Sequence, residues 1–381
     1  MVKKGLDSKL RSNLNKVLRI SRLEARSCVQ AVIDELEEIV PGTVRGAFVG
    51  GATGGRIEVA SGWDAIPDSD LDVYIVLSRV ENDTRIKVKI DEKFGRRLQL
   101  EGFPRYKSLG LIPCDRIVAD VGWLSDLDFL VSSHDCMAFA SSLFHSDLLV
   151  DPSGILSEAQ LKIRRQFLHP GFIHARLLFE LESGLQGLAR CSQKLTPFRA
   201  LWHGRMWALM CVGTMWITAR GRTPTFRRHL FAVQESTNYF SCARDFEELI
   251  NYWGVSKLNT DEARALTALV EELFDHVVIA GISEREFSEA KRGYYLDAIC
   301  RMNKLGLHSH ALWLALMVTR NALGYHERKI VRLPESAITQ AHLLFRKMGH
   351  ALEDPIAVAQ SSEEVRQFLS ISYERIVRLV M

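Results

Sequence analysis

The sequence predicts an α+β protein, with a mixed-sheet α/β domain over residues 1–155 followed by an α-helical domain over residues 156–381. Three observations carry that prediction. Strand-like runs of β-branched and aromatic residues are confined to the first part of the chain. Beyond the turn Asp151-Pro152-Ser153-Gly154 the apolar residues recur at helical spacing instead. A length of 381 residues, 47% of them hydrophobic, suffices to bury the cores of two domains.

Taken in order, residues 21–40 place Leu23, Val29, Val32, Ile33, Leu36 and Ile39 on one helical face, and Pro41-Gly42 ends that helix. Val44 to Val49 read as a strand that runs into the glycine cluster 50–55. Leu71 to Leu77 read as a second strand and Ile117 to Leu124 as a third, flanked by Pro113 and by Ser125-Asp126. Residues 78–112 are charged and give no single pattern. In the second part, residues 157–192, 199–220, 261–280, 284–305, 308–323 and 336–351 each carry a helical period, with a short terminal helix at 361–380. No fixed-period repeat or low-complexity tract occurs, which disfavours a solenoid.

A charged fraction of 25% and a net charge of +3 create no large basic field, so a small-molecule partner is favoured over a nucleic acid. Cys28, Cys114, Cys136, Cys191, Cys211, Cys242 and Cys300 stand singly, without the close pairs of a zinc site or thiol–disulfide motif, and are expected as reduced thiols. The first sixteen residues lack the apolar core of a signal peptide. The most apolar stretch, 200–219, is interrupted by His203 and Arg205 and reads as a buried helix, so no membrane span is expected and the expected location is the cytoplasm.

The chemistry concentrates in Pro67-Asp68-Ser69-Asp70-Leu71-Asp72-Val73-Tyr74, where acids alternate as a polar turn becomes an apolar strand. Alternation puts Asp70 and Asp72 on one face. Two carboxylates held that close repel each other, and a divalent cation such as magnesium keeps both ionised. Upstream, Gly50-Gly51-Ala52-Thr53-Gly54-Gly55 lets backbone N–H groups approach an anion such as a phosphate. Each feature alone also fits a plain turn; their conjunction points to a phosphate cradle beside a metal clamp.

These residues resemble the signature of the nucleotidyltransferase superfamily that includes DNA polymerase β and the aminoglycoside nucleotidyltransferases: a strand, a glycine pair, a spacer, then Asp-hydrophobic-Asp. The resemblance covers about residues 20–155 and is closest to small-molecule nucleotidyltransferases with a C-terminal helical domain. Two departures stand out: Gly51 occupies a position where serine is common, and the 18-residue spacer 52–69 is longer than usual for the family. The resemblance implies a catalytic domain at 1–155 and an acceptor domain at 156–381, with the acceptor in the cleft between them. It implies Mg2+, or alternatively Mn2+, on Asp70, Asp72 and a third carboxylate, for which Asp120 matches best and Asp115 is the fallback. Gly50, Gly51 and Thr53 would then face the triphosphate of ATP or another nucleoside triphosphate. The implied reaction is transfer of a nucleoside monophosphate, AMP by preference, to a small hydroxylated or amino acceptor, with release of pyrophosphate. Alternatives are a template-free polymerase or cyclic-nucleotide synthase, and a catalytically silent nucleotide-binding partner protein.

Other residues carry weaker signals. Glu180 and Glu182 resemble a general base supplied by the helical domain of aminoglycoside-modifying relatives, although exposed helix charges are the common alternative. Arg220-Gly221-Arg222 can bind phosphate, or can simply complement a helix C-terminus. Trp202, Trp207 and Trp216 read as packing rather than a stacking platform. His308-Ser309-His310 lacks companion metal ligands, and Ser133-His134-Asp135 is no triad, because adjacency in sequence does not give the required spatial order.

Overall fold

The computed structural model describes residues 22–50, 71–78, 102–104, 111–124, 126–132, 134–146, 148–190, 201–222, 226, 228–280, 287, 289–350 and 355–381. The chain divides into two units. One comprises residues up to Leu168 together with Ser283–Ala298; the other comprises His169–Ile282 and Ile299–Met381.

In the first unit, α1 (Arg22–Ile39) buries Val29, Val32, Ile33 and Leu36 at helical spacing. It ends at Gly42, whose φ of 71° suits a residue without Cβ and whose N–H donates to the Glu37 carboxylate. Then follow β1 (Val44–Gly50), β2 (Leu71–Leu77), β3 (Gly102–Pro104) and β4 (Leu111–Asp120). Next come α2 (Leu127–Ser132), α3 (His134–His145), β5 (Leu148–Val150) and α4 (Ile155–Gln166).

The five strands form one mixed sheet in the order β3-β4-β2-β1-β5. β1 runs antiparallel to β2 and β5, β4 runs parallel to β2, and β3 pairs antiparallel with the start of β4. Successive residues 47–49 and 73–77 are all buried, as expected of strands covered on both faces. On one face Phe48 stacks on Tyr74 at 4.9 Å, and Phe139 of α3 meets both rings edge-on.

The unit extends past residue 155 because α4 is tied into it. Asp151 caps α4 by accepting from the N–H groups of Leu156 and Ser157. Gln160 of α4 donates to the carbonyls of Leu143 and Ser146, both at 2.7 Å, and so satisfies the end of α3. The helix expected over 157–192 is therefore two. Pro170, which cannot donate an N–H, opens α5 (Pro170–Arg190) at its first position.

The second unit is helical throughout its described residues: α5, a π-helical turn (Leu201–Met206), α6 (Trp207–Ala219), α7 (His229–Tyr239) and α8 (Ala243–Trp253). After these come α9 (Thr260–Ile279), the end of α10 (Glu289–Lys304), α11 (His308–Glu327), α12 (Glu335–Lys347) and α13 (Pro355–Val380). α6 and α11 are deeply buried, α11 with Ala311, Leu314, Ala315, Leu316 and Met317 fully enclosed. The His229 imidazole lies flat against Trp313 of α11 at 5.3 Å, and its Nε2 occupies the space that a Cβ at Gly213 would need. His350 and Arg205 finish α8: the Arg205 guanidinium donates to His350 Nδ1 and to the Tyr252 carbonyl, and His350 Nε2 donates to the Trp253 carbonyl. Among the described residues, no helix is long and apolar enough to cross a membrane.

Candidate functional site

One row across the sheet contains three of the residues singled out by the sequence. Gly50, the last residue of β1, pairs with Asp72 on β2, and Asp72 pairs with Asp115 on β4. With neighbouring strands about 4.8 Å apart, these three positions span roughly 10 Å. Asp72 is half-buried, at the second position of β2. Asp70, Gly51 and Thr53 lie outside the described residues, as do the side chains of Asp115 and Asp120.

The register sets Asp115, the fallback, and not Asp120 level with Asp72. Asp120 pairs with Leu77 at the far end of β2, five residues from the level of Asp72. Five strand residues correspond to about 16 Å, and an odd offset also places position 120 on the opposite sheet face. Asp115, two residues before the expected strand at 117–124, is the acid level with Asp72. The strand itself starts earlier than the expected 117–124: β4 begins at Leu111 and includes Pro113. Proline is tolerated there because its pairing is with Gly102 of β3, while pairing with β2 begins only at Cys114. Residues 121–124 form a 3-10 turn instead of continuing the strand.

Gly50 has a packing reason for its lack of a side chain. A Cβ there would lie 2.2 Å from Tyr74 Cε2 and 2.7 Å from Ser142 Cβ. The Tyr74 hydroxyl, buried beneath α3, accepts a hydrogen bond from Ser142 at 3.2 Å. Sequence reasoning missed both residues. The available signal was parity: Tyr74 lies two positions after Asp72 and so shares its face.

In the helical unit the candidates separate. Glu180 is buried, and its carboxylate with burial pushes the Cys211 thiol well above its usual pKa; burial is the larger cause. Cys211 is thereby kept in its un-ionised, unreactive form. Glu182 is exposed. Arg220 follows α6, pairs with Glu235 at 3.1 Å and lies over the Tyr239 ring, so its charge is engaged within the fold. Arg222 is exposed. Trp216 is core, whereas Trp207 is partly exposed and donates to Ser183; the Trp202 side chain lies outside the described residues. His308 bonds Asn303 at the start of α11, while His310 is sandwiched between Phe231 and Phe246. The two histidines thus face different surroundings. Cys211, Cys242 and Cys300 carry free thiols.

Among the described residues, no three His, Cys, Asp or Glu side chains gather as a metal site. Compared with known proteins, the chain matches no family model, no curated protein and no solved structure.

Proposed function

We propose that this chain is a metal-dependent nucleotidyltransferase that transfers a nucleoside monophosphate, AMP by preference, from its triphosphate to a small hydroxylated or amino acceptor. The observation that carries the reading is the row Gly50–Asp72–Asp115, in which two carboxylate positions stand level on adjacent parallel strands beside the entry to a glycine cluster. Carboxylate oxygens are hard donors and suit magnesium, so the residues present fit that ion. Asp72, Asp115 and, from the sequence motif, Asp70 would hold it. Once bound, the ion would supply Lewis-acid neutralisation of the triphosphate and would lower the pKa of an acceptor hydroxyl.

The protein's own part is positioning. The paired strands fix the separation of positions 72 and 115, and a glycine-rich sequence after Gly50 would let backbone N–H groups reach phosphate oxygens. The sheet face that Asp72 shares with Tyr74 and Phe48, covered by Phe139, gives that end of the sheet a packed base.

The test is mass spectrometry of products after incubation with ATP, magnesium and candidate hydroxylated or amino metabolites, together with a control containing nucleotide alone. A nucleotidylated metabolite is expected, and cyclic or oligomeric nucleotides in the control would favour the synthase alternative. Asp72→Asn and Asp115→Asn should each lower turnover by at least about a hundredfold, whereas Asp120→Asn should retain turnover within about threefold. Equal loss in the Asp115 and Asp120 variants would overturn the assignment by register, and absence of product with every triphosphate would overturn the reading as a whole.

A further inference from the structure

We infer that the turn between α11 and α12 is a docking surface for an anionic lipid bilayer, with Ile330 as its apolar tip and Arg328, Lys329 and Arg332 as its cations. Residues 328–334 carry three cations and no acid, a charge of +3 that equals the formal net charge of the whole chain. Val331 and Leu333 are buried, whereas Ile330 is 43% exposed and all three cations face solvent. No hydrogen bond or ion pair among the described residues takes up the side chains of Lys329 or Arg332. The flanking acids are Glu327, half-buried at the end of α11, and Glu335, which complements the N-terminus of α12 from its first turn.

Two residues of the turn go against local preference. α11 ends in a Schellman arrangement, in which the Ile330 N–H donates to the Tyr325 carbonyl at 3.0 Å and the Lys329 N–H to the His326 carbonyl at 2.9 Å. The left-handed position of that motif usually holds glycine; here it holds Lys329, with φ of 60°. The residue after it usually packs back on the helix; here it is Ile330, turned to solvent. Attraction of cations to a helix C-terminus accounts for Arg328, whose guanidinium donates to the Gly324 carbonyl and lies over the Tyr325 ring at 4.7 Å. It does not account for a lysine held left-handed or for Arg332 beyond the helix. The buried Val331 and Leu333, with a hydrogen bond from the Leu333 N–H to His326 Nδ1 at 3.2 Å, fix the turn, so Ile330 and Arg332 are displayed with little left to order on binding. An aliphatic tip ringed by cations suits a bilayer, where the tip enters the acyl boundary and the cations meet lipid phosphates. A nucleic acid would leave Ile330 idle, since bases stack on aromatic rings, and a stable protein interface centres on aromatic anchors that this turn lacks.

The test is co-sedimentation of the full-length chain with vesicles of phosphatidylcholine, alone or with about a third phosphatidylserine. Binding is expected only with the acidic lipid and should weaken as salt is added. Arg332→Ala and Ile330→Ser should each lower the partition coefficient about fivefold. Lys329→Gly removes a cation and relieves the left-handed backbone at once, so binding should fall about fivefold while the thermal midpoint rises. Arg378→Gln on α13, where Arg378 is paired with Glu374, lowers the net charge equally and should leave binding within about twofold. Absence of vesicle binding, equal binding to both vesicle types, unchanged binding of Ile330→Ser, or a loss in Arg378→Gln as large as in Lys329→Gly overturns the inference. So does binding of a single-stranded oligonucleotide that falls in the Lys329 and Arg332 variants while vesicles are not bound, which would assign the turn to nucleic acid.

Discussion

Acidification should destabilise the helical unit well before the carboxylates of an ordinary protein are titrated. His229 and His310 are enclosed, and burial lowers their pKa from the ordinary 6.5 to about 3 and about 4, respectively. His350 is shifted in the same direction, first by burial and then by the adjacent Arg205 charge. The folded state thus refuses protons that the unfolded chain accepts, so the stability held by these residues is complete above pH 6.5 and falls as the pH drops towards the folded values. Between pH 7.5 and pH 5, His229 and His310 each account for a loss of about 2 kcal/mol, or roughly 4 kcal/mol together, and His350 adds to it. A loss of that size is a large share of a typical domain stability of about 5–15 kcal/mol. Urea denaturation at fixed pH values, followed by the fluorescence of the buried Trp216, Trp253 and Trp313, reads the effect. His310→Phe supplies the control: a phenyl ring matches the aromatic slot between Phe231 and Phe246 and cannot titrate, so about 2 kcal/mol of the pH dependence should disappear. Stability that is flat from pH 7.5 to pH 5, or an unchanged slope in His310→Phe, would refute the reasoning.

Two substitutions probe the local arguments. Gly50→Ala forces a Cβ into the Tyr74 ring and should cost about 1–3 kcal/mol by denaturant titration; a neutral result would mean that the ring yields without resistance. Asn259 accepts from the N–H groups of Asp261 and Glu262 while Glu262 accepts from the Asn259 N–H, a reciprocal cap on α9, so Asn259→Ala should lower stability by about 1 kcal/mol in the same assay.

Elements with a strong local period were legible in the sequence. α1, β1, β2 and α9 fall within a residue or two of their expected bounds because apolar spacing and a clear stop define each. The misses have tertiary causes. β4 was placed too late because Pro113 read as a boundary, and only the partial overlap with β3 and β2 explains why a proline is accepted there. α7 gave no distinct signal, since His229, Ser236 and Thr237 are buried polar residues that break an apolar stripe, whereas the helical spacing of Phe246, Leu249, Ile250 and Trp253 in α8 was legible and was passed over. The aspartate pair and the glycine cluster were legible, but which distant acid stands level with Asp72 is a property of strand pairing and is not written in local spacing.

That distinction changes what each part of the site contributes to the functional argument. A glycine at the end of β1 first suggests close approach of backbone to a phosphate, yet the Tyr74 ring alone requires Gly50 to lack a Cβ. Gly50 is therefore weak evidence for a ligand, and the inference shifts to the charges. A row that sets two acid positions on neighbouring parallel strands has no packing explanation of the same kind, because like charges side by side oppose folding unless a cation or a proton relieves them. A third acid, Asp70, stands two residues before Asp72 in the sequence, and alternation assigns it to the same side. On the proposed function, a divalent ion held by these acids would relieve that repulsion, and a polyphosphate is the ligand that such an ion would recruit.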